Sequence, residues 1–293
     1  IAMRSNEECS FQEDILDLVR GNRQLATLPE VYSEFKKAVE DPDLAFDRIE
    51  KLILQDPQLT IRLLKIVNSA FYAFPREIAT VSQAVAVIGT ERLGYLVLST
   101  VVMDKFNSIP DAILNMNSYW RHSIACGLVA KKMADYNGDL NSERHFIAAL
   151  LHDVGRLVMC LKIPHRNWEN LVRSKSENKA LHLVEMAELG FDHAQVGGAL
   201  LREWNLPLVY QEVAEFHHNP LETPQFQYET SLCHLSDIIV NTLKLGCSGE
   251  SFIVPELEEE AWALVQLPTE LNLSVIKSET EEIFEETVCV FLN

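Results

Sequence analysis

Apolar residues recur at intervals of three and four along nearly the whole chain, and no stretch shows the strict alternation of a half-buried strand. That pattern restricts the chain to an all-α fold. Ile15, Leu16 and Val19 share one helical face in the segment from Phe11. Leu28-Pro29 opens a second helix, with Val31, Phe35 and Val39 on one face, and Asp41-Pro42 closes it. A helix over 46–54 ends at Asp56-Pro57, where Asp caps and Pro starts the next helix. Leu59, Leu63, Leu64 and Val67 carry that helix to Asn68. Val81–Ile88, Gly89 and Leu93–Val102 read as a helix–turn–helix pair of core helices, because neither carries the basic surface of a DNA-recognition helix.

Beyond Ile109-Pro110 the period predicts helices over 112–136, 142–160, 165–175, 179–189, 193–204, 207–217 and 227–244, then 256–267 and 271–291. Leu189-Gly190 marks one C-terminus, and Asp192 with Gln195 forms the start of the next helix, placing His193 in its first turn. The boundaries are an N-terminal lobe at 11–108, a second lobe at 109–246 and an acidic extension at 250–293.

With 293 residues, 47% of them hydrophobic, the chain can bury a substantial core. Its formal net charge of -18 excludes a general binder of nucleic acid or of an anionic membrane, since phosphate contacts need a basic surface. Much of that charge lies in 250–293, which holds eleven glutamates against one lysine. The six cysteines are scattered with no CxxC, as expected of free thiols in a reducing compartment. No continuous apolar run approaches the roughly 18–20 residues of a membrane span, and the first residues lack the apolar core of a signal peptide. These features predict a cytoplasmic protein.

Against this background, seven residues stand out in order: His122, His152-Asp153, His193, His217-His218 and Asp237. His152 and Asp153 interrupt the apolar run from Phe146 to Val158. A buried carboxylate is costly without a counter-ion or hydrogen bonds, and a divalent metal supplies one. Neighbouring helical residues point about 100° apart. A His-Asp pair can therefore meet one centre from two sides, or its Asp can bridge two. The same holds for His217-His218, which follow the apolar run from Val209 to Phe216. Imidazole and carboxylate donors suit Fe, Mn, Ni or Zn, and the absence of thiolates from the set argues against a structural zinc–cysteine site. His145, His165, His182 and His234 have no such partners in sequence and read as surface or ordinary helix residues.

At these residues the chain resembles the HD superfamily of metal-dependent phosphohydrolases and, within it, the HDOD family of bacterial signalling output domains. The resemblance spans about 14–245. It rests on Leu28-Pro29, the run Ile53 to Thr60, Asn68-Ser69-Ala70-Phe71-Tyr72, Ala149 to Leu157, His193 to Gly197, Trp204 to Pro207, and His217-His218-Asn219-Pro220. It implies a two-lobed all-α fold whose second lobe is HD-like. It also implies that His122, His152, Asp153 and Asp237 bind one ion. His193, His217 and His218 would then bind a second, with Asp153 bridging.

Two departures bear on activity. Relatives that hydrolyse cyclic-di-GMP carry a lysine where this chain has Arg156, and a Gly-Tyr-Pro signature where it has Asn219-Pro220-Leu221-Glu222. Hydrolysis of that nucleotide is therefore not expected. What remains is a regulatory module holding two divalent ions and working through signalling protein partners at Asn68–Tyr72 or the acidic C-terminal helices. The alternative is a phosphohydrolase for a phosphate-containing small molecule, with Asp153 and Arg156 as its catalytic residues.

Overall fold

A computed structural model describes residues 15–21, 25, 27–39, 45–250, 253–267 and 273–292. Every regular element among them is helical, so the all-α reading holds. After a short helical stretch at 15–20, the elements are α1 (Glu30–Val39), α2 (Ala45–Leu54), α3 (Pro57–Val67) and α4 (Val81–Lys105). Then come α5 (Met116–Tyr136), α6 (Glu143–Leu151), α7 (Val154–Lys162), α8 (Pro164–Glu177) and α9 (Leu181–Leu189). The series ends with α10 (His193–Glu203), α11 (Leu208–Phe216), α12 (Gln227–Leu243), α13 (Glu259–Val265) and α14 (Leu273–Leu292).

The chain divides into two compact units, one of Leu28–Ser108 with Ser274–Asn293 and one of Ile1–Thr27 with Ile109–Leu273. The segment 250–293, read from sequence as one acidic extension, is thus divided between them. The reason is apolar: Phe284, Val288 and Phe291 of α14 are buried, with the Phe291 ring edge-on to Phe71 at 6.0 Å.

In that first unit Asp56 caps α3 by accepting from the backbone N–H groups of Gln58 and Leu59, with Pro57 in the first turn. The buried stripe of α1 is Tyr32, Phe35 and Ala38, not Val31, Phe35 and Val39; Val39 is exposed. Tyr32 lies on that face with its ring stacked parallel to Phe35, centroids 6.5 Å apart. Gly89 breaks α4 at φ 83°, ψ 165°, a conformation that favours glycine, so the expected pair of helices is present as two arms of one element. Counted across that break, α4 is long and apolar enough by length and composition to cross a membrane, although polar residues interrupt its apolar run. Most of its apolar window is buried inside the protein.

In the second unit α5 packs against α6 and α12, while α10 packs against α7 and α11. The predicted helix over 142–160 is two helices, α6 and α7, interrupted at His152-Asp153. Gly155 permits the close approach behind that break: a Cβ there would stand 2.0 Å from the His193 carbonyl oxygen and 2.5 Å from the Gly197 nitrogen. At the start of α10, Asp192 accepts from Gln195 N–H at 2.9 Å and Gln195 Oε1 accepts from Asp192 N–H at 3.2 Å, as the sequence predicts. Trp204, just past α10, donates from Nε1 to the Leu25 carbonyl at 2.7 Å.

Candidate metal centre

All seven predicted residues converge within the second unit. His122 comes from the middle of α5, His152 and Asp153 from the α6–α7 break, and His193 from the first turn of α10. His217 and His218 follow α11 directly, and Asp237 projects from α12. At the break His152 keeps helical backbone angles while Asp153 departs from them, at φ -94° and ψ 9°. His122, His152, Asp153, His193, His217 and Asp237 are buried, and His218 is half-buried.

The two oxygens of Asp153 face different groups. Oδ2 lies 3.5 Å from His152 Nε2. Oδ1 lies 3.3 Å from His193 Nε2 and 3.7 Å from His217 Nε2. On the His152 side, Asp237 Oδ1 is 3.1 Å from His122 Nε2 and 3.9 Å from His152 Nε2. On the other side, His218 Nε2 is 2.8 Å from His193 Nε2. Two donors that each stand about 2.1 Å from one ion are themselves about 3–4 Å apart, so the carboxylate–imidazole separations fit metal coordination, while the His193–His218 pair stands at hydrogen-bond distance.

Three imidazoles are turned the same way. His152 Nδ1 donates to the Ala149 carbonyl at 2.6 Å, and His217 Nδ1 donates to the Ala214 carbonyl at 2.9 Å. His193 Nδ1 donates to Glu185 Oε2 at 2.6 Å. Each ring therefore points Nε2 inward. Nε2 of His152 and of His217 are buried without a hydrogen-bond partner. Facing lone pairs on nitrogen and carboxylate oxygen repel unless a cation stands between them, so the donor set fits a divalent metal.

The electrostatics run in the same direction. Burial alone would raise the Asp153 carboxyl, but His152, His193 and Arg156 hold it well below the usual carboxylate range. Burial likewise works against ionised Asp237, and His122 outweighs it. Burial pushes the His217 imidazole down to about 3, with His152 adding to the effect, and pushes His218 well below its usual value. His193 is the exception: burial opposes its charged form, yet Glu185 and Asp153 raise it well above the ordinary range.

Several contributors were not singled out from sequence. Glu185 is fully buried and accepts from both Nδ1 and the backbone N–H of His193. Its signal was an acid on the buried face of α9 beside Leu181 and Val184. Asn241 donates to Asp237 Oδ1 at 2.8 Å, one helical turn on. His234 donates from Nδ1 to the His217 carbonyl at 2.8 Å, which positions that backbone. His182, read as an ordinary helix residue, stacks on His218 with ring centroids 4.0 Å apart and lines the cleft. His145 is buried against Asp139 rather than at the surface, while His165 is exposed as expected.

Arg156 is buried at the cleft with Asp153, His193 and Asp237. Its Nη1 is 3.4 Å from Ser248 Oγ, and Asp153, Glu250 and Glu185 favour its charge against the cost of burial.

A family model described as the HDOD domain matches residues 25–220. An uncharacterized protein of Treponema pallidum is 30% identical over 200 residues, covering 68% of this chain but only 38% of that protein's length. The structure of an HDOD domain protein of unknown function from Geobacter sulfurreducens superposes with a TM-score of 0.74 at 25% identity, covering 95% of this chain and 97% of that one. A candidate phosphohydrolase from Shewanella amazonensis gives 0.73 at 18% identity, covering 94% and 96%. At that identity the likeness speaks for the fold.

Proposed function

Since the chain belongs to the HDOD domain family, we propose that it is a bacterial regulatory module of the cytoplasm, built around a binuclear divalent metal centre and acting through protein partners. The observation that carries the metal reading is the pair of Asp153 oxygens facing two separate histidine groups, each with inward Nε2 atoms. His122, His152, Asp153 and Asp237 would hold the first ion; His193, His217, His218 and Asp153 the second. Fe, Mn, Ni and Zn match these donors. The regulatory reading draws on the cleft: Arg156, the cation placed to meet a phosphate, already has Ser248 as a partner and Glu250 as a neighbouring charge.

A phosphohydrolase is the second reading, favoured by Asp153 and Arg156 lining one cleft. A divalent pair would supply charge for phosphate oxygens and acidify water. Arg156 would orient the phosphate-containing small molecule.

The deciding experiment is a panel of nucleotides and generic phosphate mono- and diesters, run on protein whose metal content has been measured. The regulatory reading predicts full occupancy without turnover. Metal-dependent turnover abolished by Asp153→Ala would replace it with the enzymatic one.

A further inference from the structure

The sequence-level set contained no sulfur, but the folded centre does. Cys126 lies one turn after His122 on α5, fully buried, with Sγ 3.5 Å from His122 Nε2. Donor atoms of His122, Cys126, His152 and Asp237 all fall within 4.8 Å of one another. A sulfur about 2.3 Å and a nitrogen about 2.1 Å from one tetrahedral ion stand about 3.6 Å apart, which matches the observed separation. The second pointer is His152 Nε2, which is buried, without a hydrogen-bond partner, and part of the same group.

Hydrogen bonding alone does not satisfy this group. If His122 Nε2 carries a proton, it donates to Asp237 Oδ1 at 3.1 Å and cannot also accept from the thiol. If it lacks one, it can accept from the thiol but then faces the carboxylate lone pair to lone pair. A cation among Sγ, the two Nε2 atoms and Oδ1 satisfies all four donors together.

We propose that Cys126 is a further ligand of the first metal position, adding a sulfur to His122, His152, Asp237 and the shared Asp153 for a thiophilic divalent ion. The proposal rests on the metal-centre reading above. Binding as thiolate releases the Sγ proton to solvent, one for each ion bound. With Asp153 Oδ2 included, five protein donors leave this position more closed than a catalytic site, which keeps a coordination place open. A thiolate also shifts preference toward zinc or iron and away from manganese or magnesium.

The test uses the full chain loaded with Co2+. The expected result is a near-ultraviolet sulfur-to-cobalt charge-transfer band that Cys126→Ser removes. Cys233→Ser, one turn before Asp237 on α12, should leave it in place. X-ray absorption of the unsubstituted protein needs no variant and should show a sulfur neighbour of cobalt at about 2.3 Å. Cobalt bound in a shell of nitrogen and oxygen alone, or a band that survives in Cys126→Ser, overturns the proposal while leaving the metal centre standing. No cobalt binding at all overturns both.

Discussion

Glu185 holds His193 at two points: its Oε2 accepts from the imidazole Nδ1 at 2.6 Å and from the backbone N–H at 3.0 Å. Both contacts are buried, so the ring is fixed in tautomer and direction before any ion arrives. Glu185→Gln keeps the shape and removes the charge. It should weaken metal binding about 10–100-fold, as is usual when the group orienting a ligand is lost. Chelator competition measures this, and an affinity unchanged within a factor of two would refute the assigned role.

The α7–α10 contact depends on Gly155. Gly155→Ala would set a methyl against backbone atoms of His193 and Gly197, which cannot swing aside as a side chain can. The expected cost is about 3 kcal/mol, at the upper end for an added methyl in a packed core. Urea unfolding of the metal-stripped protein reads this directly, and a loss below about 1 kcal/mol would mean the two helices separate easily.

Stability of the metal-stripped protein should depend on pH through the buried histidines. Burial lowers His217 to about 3 and His182 to about 4 from an ordinary value of 6.5. Between these values and 6.5 the unfolded chain binds more protons, so stability falls as pH falls through that window. His193 behaves oppositely, since its pKa is raised: its contribution is full below 6.5 and is lost as pH rises through its folded value. Urea midpoints should therefore drop from pH 6.5 toward 4, and His217→Gln should make the drop shallower. An unchanged slope in that variant would contradict the neutral, buried imidazole.

Phe291 tests where the C-terminal helix belongs. It is 1% exposed and meets Phe71 edge to face, while the Ala70 N–H donates to Glu286 Oε1 at 3.0 Å. Phe291→Ala should destabilise the unit containing α1–α4 by about 3–5 kcal/mol. Amide hydrogen exchange should show lost protection in α3 and α4, and protection unchanged there would contradict the packing.

The helical architecture was legible because apolar spacing is a local signal, and the Asp56-Pro57 and Asp192–Gln195 caps are local chemistry. The seven metal-type residues were legible because acids and imidazoles in apolar runs demand a partner. The break at His152-Asp153 was hidden, since the flanking apolar pattern continues in phase through it. Glu185, Cys126 and Asn241 were hidden for another reason: each looks ordinary on its own helix, and only tertiary packing brings it to the site. His182 shows the same limit, because its partner His218 lies on a different element.

The most direct test of a centre shared through Asp153 is an anomalous-scattering map of crystals grown from metal-reconstituted protein. The account predicts two peaks about 3.5–4 Å apart, one on each side of the Asp153 carboxylate. A single peak bound without Asp153, or no peak after reconstitution, would contradict it.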